Sequence, residues 1–288
     1  MESSGKQSVY GECRILLTTK HGKQEAIGPA FHELLSADVE VFEFDTDSLG
    51  TFSGEIARIG TAQDCVRRKC ELGMKQLNAE FGLASEGSFG PHPSIPFIPC
   101  DYELLCFMDS GRNLCLYESI LSTNTNYRTQ SLDSMNDLLQ FGSNALFPSH
   151  SLILRPNEWR DRSIIFKDIH STEDLSIAFE ECRRNSSDGR VWVETDMRAH
   201  RNPTRMSVIK DVAVKLCLRL LASCPACQAP GWGTTGTEKG LPCEYCHSPT
   251  EMISSEIRSC SACGHSENAK RSDGLTFASA RYCGRCNP

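Results

Sequence analysis

Short apolar runs along the chain alternate with longer stretches whose apolar residues return every three or four positions. The first run, "RILLTT" (14–19), has the length and composition of a buried strand. In "KHGKQEAIGPAFHELL" the residues Ile27, Ala30, Phe31, Leu34 and Leu35 fall at helical spacing, and Pro29 predicts a late start or a kink. "VEVFEF" (39–44) predicts the next strand and 45–55 a loop. Thr61 and Asp64 make a capping-box-like opening for a helix through residue 77, with Asp where Glu is usual. The glycines and prolines of "FGLASEGSFGPHPSIPF" (81–97) predict a shaped loop. "YELLCFMD" and "LCLYESIL" flank "SGRN" as a hairpin. A helix over 131–141, strands at 151–156 and 163–169, a helix over 172–185 and a strand at 190–195 follow. The last helix opens at "NPTR". Asn202 suits its N-cap, Pro203 its first turn, and Ile209, Val212, Leu216 and Leu220 its inward face.

This alternation predicts an α/β fold, a mixed central sheet flanked by helices, over 13–222. A disordered N-terminus (1–12) precedes it and a small zinc-ribbon domain (223–288) follows. The chain has 288 residues and a net charge of −7, which argues against a nonspecific nucleic-acid binder. No apolar run has the length of a membrane span, and the first dozen residues lack the apolar segment of a secretory signal. The expectation is a cytoplasmic protein.

Sixteen cysteines change the picture. Eight stand in four Cys-x-x-Cys pairs: Cys224 and Cys227, Cys243 and Cys246, Cys260 and Cys263, Cys283 and Cys286. Each such turn aims two sulfurs at one point, and two turns complete a tetrahedral zinc shell. The pairs are read in sequence order, first with second and third with fourth, as two structural Zn²⁺ sites. The strand-like "EMISSEIRSC" leaves a crossed or nested pairing open. Lysine plus arginine balances aspartate plus glutamate in the tail, so the ribbons offer no basic stripe. A protein contact is as well supported there as a nucleic-acid contact.

"ETDMRAHRNPTR" (194–205) collects Arg198, His200, Arg201 and Arg205 ahead of the last helix, whose free N–H groups make an anion site. "TTKHGK" (18–23) places Thr18, Thr19 and Lys23 at the end of the first strand, where ligands gather in open α/β sheets. Glu86 sits beside glycines in "ASEGSFG".

In this order the segments resemble the inosine/xanthosine triphosphate pyrophosphatase-like superfamily. Thr18, Thr19, Gly22 and Lys23 match its first loop. "RIGTAQDCVRRK" resembles its second helix start, with Asp64 and Lys69 at the acidic and lysine places. Glu86-Gly87 matches its acidic loop, and His200-Arg201 its Ser-His-Arg segment. The first-loop asparagine is replaced here, and the acidic pair is reduced to Glu86. The whole chain is also similar to a bacterial family of unknown function that carries "TTKHGK", "FGLASEGSFGPHP" and "ETDMRAHRNPTRM" ahead of cysteine pairs.

The first resemblance implies a nucleotide pyrophosphatase acting on a small phosphorylated ligand, and a homodimer. It implies Glu86, Lys23 and Asp64 as catalytic residues, with Glu86 holding Mg²⁺ or positioning water. Thr18, Thr19, Lys69, Arg198, His200 and Arg201 would bind substrate. The rival expectation is a non-enzymatic ribbon protein, with a protein or nucleic-acid partner and a degenerate cleft. A metal-dependent nuclease built on Glu194 and Asp196 is a weaker third.

Overall fold

The computed structural model describes residues 8–43, 60–156 and 164–288. The loop expected over 45–55 lies outside them. The order is β1 (Arg14–Thr19), α1 (Gln24–Leu35), β2 (Asp38–Glu43), α2 (Ala62–Leu77), β3 (Phe81–His92), β4 (Ile95–Asp109), β5 (Leu114–Ser122) and β6 (Thr129–Leu132). Then come α3 (Met135–Asn144), β7 (Leu152–Pro156), β8 (Phe166–Ile169), α4 (Thr172–Asn185), β9 (Val191–Thr195) and α5 (Pro203–Leu221). The tail carries β10 (Gly233–Lys239), β11 (Ile253–Ser259) and β12 (Ser266–Lys270).

The central sheet is mixed, in the order β2-β1-β3-β4-β5. β2, β1 and β3 run parallel, while β4 and β5 are antiparallel to their neighbours. Ile15, Leu17, Leu83, Leu105, Phe107 and Leu116 alternate onto one face, which α1 and α5 cover with Ile27, Phe31, Ile209, Val212 and Leu216. On the other face α2 lays Val66 and Cys70 against Ala84, Leu104 and Cys106. A second sheet, β6-β9-β7-β8, is antiparallel throughout and packs on α3 and α4 through Leu138, Phe141, Leu175 and Phe179.

Local signals set the helix ends. Thr61 and Asp64 form the reciprocal capping box of α2. Ser134 caps α3 by accepting from Asp137 N, which starts that helix four residues later than its apolar pattern suggests. Asn202 caps α5, with Pro203 in its first turn. Pro29 stays inside α1, which runs unbroken from Gln24.

Two expectations are corrected. Residues 81–92, read as a loop, are the central strand β3, paired with β4 along its whole length. Two of its glycines, Gly82 and Gly87, are there for close approach. A Cβ on Gly82 would collide with Met74 and Cys70 of α2, and one on Gly87 with Arg205 and Glu103. Tyr10, inside the segment read as disordered, is fully buried; its hydroxyl donates to Asp109 Oδ2 (3.1 Å) and its ring packs on Phe81 and Phe107.

Candidate functional site

Along β4 the face under α1 and α5 changes character. Phe107 and Leu105 are apolar, and the next two residues on that face, Glu103 and Asp101, are buried acids. β1 ends at Thr19, level with this change, and β3 runs on past it. Cations gather around the boundary. Lys23, from the loop that opens α1, donates to Ser85 Oγ (2.8 Å). Arg205, in the first turn of α5, donates from Nε to Glu103 Oε1 (2.6 Å) and bonds the Met197 carbonyl. Lys69 of α2 donates to Glu86 Oε2 (2.5 Å) on the opposite face of β3. Thus Lys23, Arg205, Asp101 and Glu103 gather on one face of the sheet at the end of β1, and the Lys69–Glu86 pair stands on the other face, within electrostatic range of Lys23.

Burial sets the protonation of this cluster. Desolvation, helped by Arg205, pulls Lys23 down to about 7, against the opposing pull of Glu103 and Glu86. Desolvation and then Glu103 push Asp101 up to about 8. Neither oxygen of Asp101 has a hydrogen-bond partner, and neither has Glu103 Oε2.

The other expected residues lie elsewhere. Thr18 is buried and points at Gly73 of α2, where any Cβ would collide with its hydroxyl; Thr19 donates to the Lys20 carbonyl. Asp64 is exposed and engaged in the α2 cap, so its carboxylate serves the helix and stands outside the cluster. Arg198, His200 and Arg201 turn toward β8. Arg201 Nε donates to Asp168 Oδ1 (2.5 Å), and Arg198 bridges Asp168 (2.9 Å) and Asp196 (2.5 Å). Burial raises the Asp168 carboxyl, but the two arginines outweigh it and hold the group below the usual carboxylate range. The His200 ring stacks on His21 at 4.9 Å, and burial with Arg198 and Arg201 lowers its pKa. This stack joins the 198–201 segment to the loop carrying Lys23.

The anion site expected at the start of α5 is closed from within. Arg205 N donates to Asn202 Oδ1 (3.0 Å) and Thr204 N to His150 Nε2 (3.2 Å), while Pro203 has no N–H. The carboxylates of the nuclease alternative are also engaged, Glu194 by Arg155 and Asp196 by Arg198. Sequence reasoning missed Ser85, Asp101, Glu103 and Asp168. The signal for two of them was present: Glu103, inside the expected strand, and Asp101, one residue before its start, continue the alternation of Leu105 and Phe107.

Beside the cluster an open cleft is lined by Pro99, Asn126, Tyr127, Arg128, Leu146 and Thr204. Phe89 connects the two. Its ring lies 6.0 Å from Tyr127 and 5.0 Å from the Arg205 guanidinium, and it pairs across the strands with Asp101.

The tail carries two cysteine clusters. Cys224, Cys227, Cys260 and Cys263 form one, and Cys243, Cys246, Cys283 and Cys286 the other. The crossed pairing replaces the sequential one, and the strands explain it. β10 and β11 are antiparallel, with Gly233 opposite Ser259, so the turn before β10 meets the turn after β11. The second turn lies between β10 and β11 at the other end of the ribbon. β12 runs antiparallel to β11 and carries the chain back toward that end. Sulfur–sulfur distances across the turns, 3.8 and 3.7 Å in one cluster and 4.0 and 3.6 Å in the other, are far beyond a disulfide. They fit four thiolates about 2.3 Å from one tetrahedral zinc ion. Backbone N–H groups of Ala226 and Tyr245 point at Cys224 and Cys243 sulfurs (3.4 Å each), as in a metal-binding turn.

Fold and clusters together define a mixed α/β protein with a C-terminal unit that could hold two zinc ions. The model of the Domain of unknown function (DUF6671) matches residues 69–288, and the chain belongs to this family. No curated relative and no solved structure matches the chain. Among the described residues no helix is long and apolar enough to cross a membrane.

Proposed function

We propose that this protein is a metal-dependent hydrolase of a nucleoside triphosphate or a related phosphorylated anion, releasing pyrophosphate. The observation that supports this reading is the convergence of Lys23, Lys69 and Arg205 with Glu86, Asp101 and Glu103 where β1 ends. The resemblance of Lys23, Lys69 and Glu86 in their segments to inosine/xanthosine triphosphate pyrophosphatases is the reason for naming a phosphorylated substrate. A polyanion needs its charge neutralised and a water held in line, and preorganised buried charges do both at low reorganisation cost. Lys69 and Arg205 would oppose phosphate charge. Lys23 would bind an oxygen as an ammonium, or give up its proton near neutral pH. Glu86, oriented by Lys69, would hold the water. The bound divalent cation would supply further charge neutralisation. The Tyr127 cleft, reached past Phe89, offers space for a substrate's remaining part.

The alternative, a binding protein that works through its tail, draws on Tyr245 and Tyr282, both exposed beside the second cysteine cluster. Pyrophosphate release from a nucleotide panel with Mg²⁺ separates the two readings. The expected result is release from at least one nucleotide, reduced about a hundredfold or more by Glu86→Gln and by Lys23→Ala. Release that survives both substitutions comes from a contaminant. No release from any nucleotide leaves the binding alternative.

A further inference from the structure

We infer that Asp101 and Glu103 on β4 form a binding site for one hard divalent cation of the Mg²⁺ or Mn²⁺ class. The buried acids among the described residues differ in how they are partnered. Glu86 has Lys69; Asp109 has Tyr10 and Arg112; Glu118 has Lys215 and Arg219; Asp196 has Arg198. Glu103 has Arg205 on one oxygen only. Asp101 is 0% exposed and no donor group reaches either of its oxygens; its carboxyl lies within hydrogen-bonding reach of that of Glu103, a contact that only a shared proton or a cation makes favourable. An unpaired buried carboxylate is costly, and a second one two positions along the same strand face adds repulsion. A proton or a cation must relieve the pair.

The surroundings favour a cation. Lys23 Nζ donates to Ser85, and Arg205 to Glu103 and the Met197 carbonyl, and neither makes a hydrogen bond to Asp101. Across the strands Asp101 faces Phe89 and Ser122, and Glu103 faces Gly87 and Ile120, so neither has a charged partner there. Three carboxylate oxygens therefore remain, with no sulfur or imidazole among them. That is a donor set for a hard ion, which needs only one or two protein carboxylates and completes its shell with water or phosphate oxygens. The location differs from the Glu86 site that the superfamily resemblance implies, since the Glu86 carboxylate is occupied by Lys69.

The inference deepens the hydrolase reading and rests on it for the use of the ion, but binding is measurable without nucleotide. Mn²⁺ is titrated into the full-length, zinc-loaded chain and free Mn²⁺ is followed by electron paramagnetic resonance. One Mn²⁺ per chain is expected, displaced by Mg²⁺. Asp101→Asn should weaken it at least about tenfold, whereas Glu118→Gln, at a paired buried acid, should leave it unchanged. No stoichiometric binding, binding unchanged in Asp101→Asn, or binding lost only in Glu86→Gln would overturn the site. Should Asp101→Asn fail to fold, Fe²⁺ with ascorbate on the unaltered chain decides. Backbone cleavage around 101–103 that Mg²⁺ suppresses supports the site, and cleavage confined elsewhere removes it. Mn²⁺ binding without pyrophosphate release keeps the site and discards the hydrolase; release without Mn²⁺ binding does the reverse.

Discussion

At Lys23 a single side chain couples the interior to pH. Its ammonium is buried, and desolvation brings its pKa to about 7. In the unfolded chain a lysine keeps its proton to about pH 10.4. Between these values the unfolded state holds more protons, so this group's penalty on folding is complete below pH 7 and fades as pH rises. Urea unfolding of the unaltered chain and of Lys23→Met checks the sign. From pH 7.5 to 9 the unaltered chain should gain up to about 2 kcal/mol relative to the variant. Parallel profiles would mean that the amine is solvated. Lys23 was visible in the sequence because it follows a strand and opens a helix. Its partner Ser85 was not, because it lies 62 positions away and nothing local marks it.

Elements tell the same story at longer range. The helices were legible from their caps and apolar spacing: α4 occupies 172–185 as expected, and α5 starts at Pro203. β3 was hidden because its glycines resemble turn residues, whereas here they let α2 and Arg205 approach the sheet. The cysteine turns were legible as metal-binding pairs, but which turn faces which depends on the β10-β11-β12 meander. Zinc content of double variants reads the pairing directly. Cys227→Ser with Cys263→Ser strikes one cluster and should leave about one zinc per chain; Cys227→Ser with Cys246→Ser strikes both and should leave about none. Sequential pairing demands the reverse, about no zinc in the first combination and about one in the second.

For the whole molecule, the question is how the tail is held against the α/β body. Arg219, near the end of α5, donates to the carbonyls of Tyr117 and Gly231 (3.0 Å each) and to Glu118 Oε1 (2.8 Å). Gly231 abuts Leu116 so closely that a Cβ would collide with it. Removing one partner of a buried ion pair strands the other, so Arg219→Ala should cost about 2–3 kcal/mol in urea unfolding, with Lys215 still beside Glu118. Amide exchange should rise at 231–233 in that variant, and Arg219→Lys should recover only part of the loss. Unchanged exchange would show that the contact does not hold the tail.

By itself the sequence determined the strands and helices other than β3, β6, β10 and β12, the caps, and the eight thiols, because periodicity, capping and Cys-x-x-Cys turns act over a few residues. Only the tertiary structure decided the crossed cysteine clusters, the turn of Arg198 and Arg201 toward Asp168, and the bare Asp101 beside Glu103. Those depend on which strand lies next to which, and on the low dielectric that close packing creates around charges far apart in the chain.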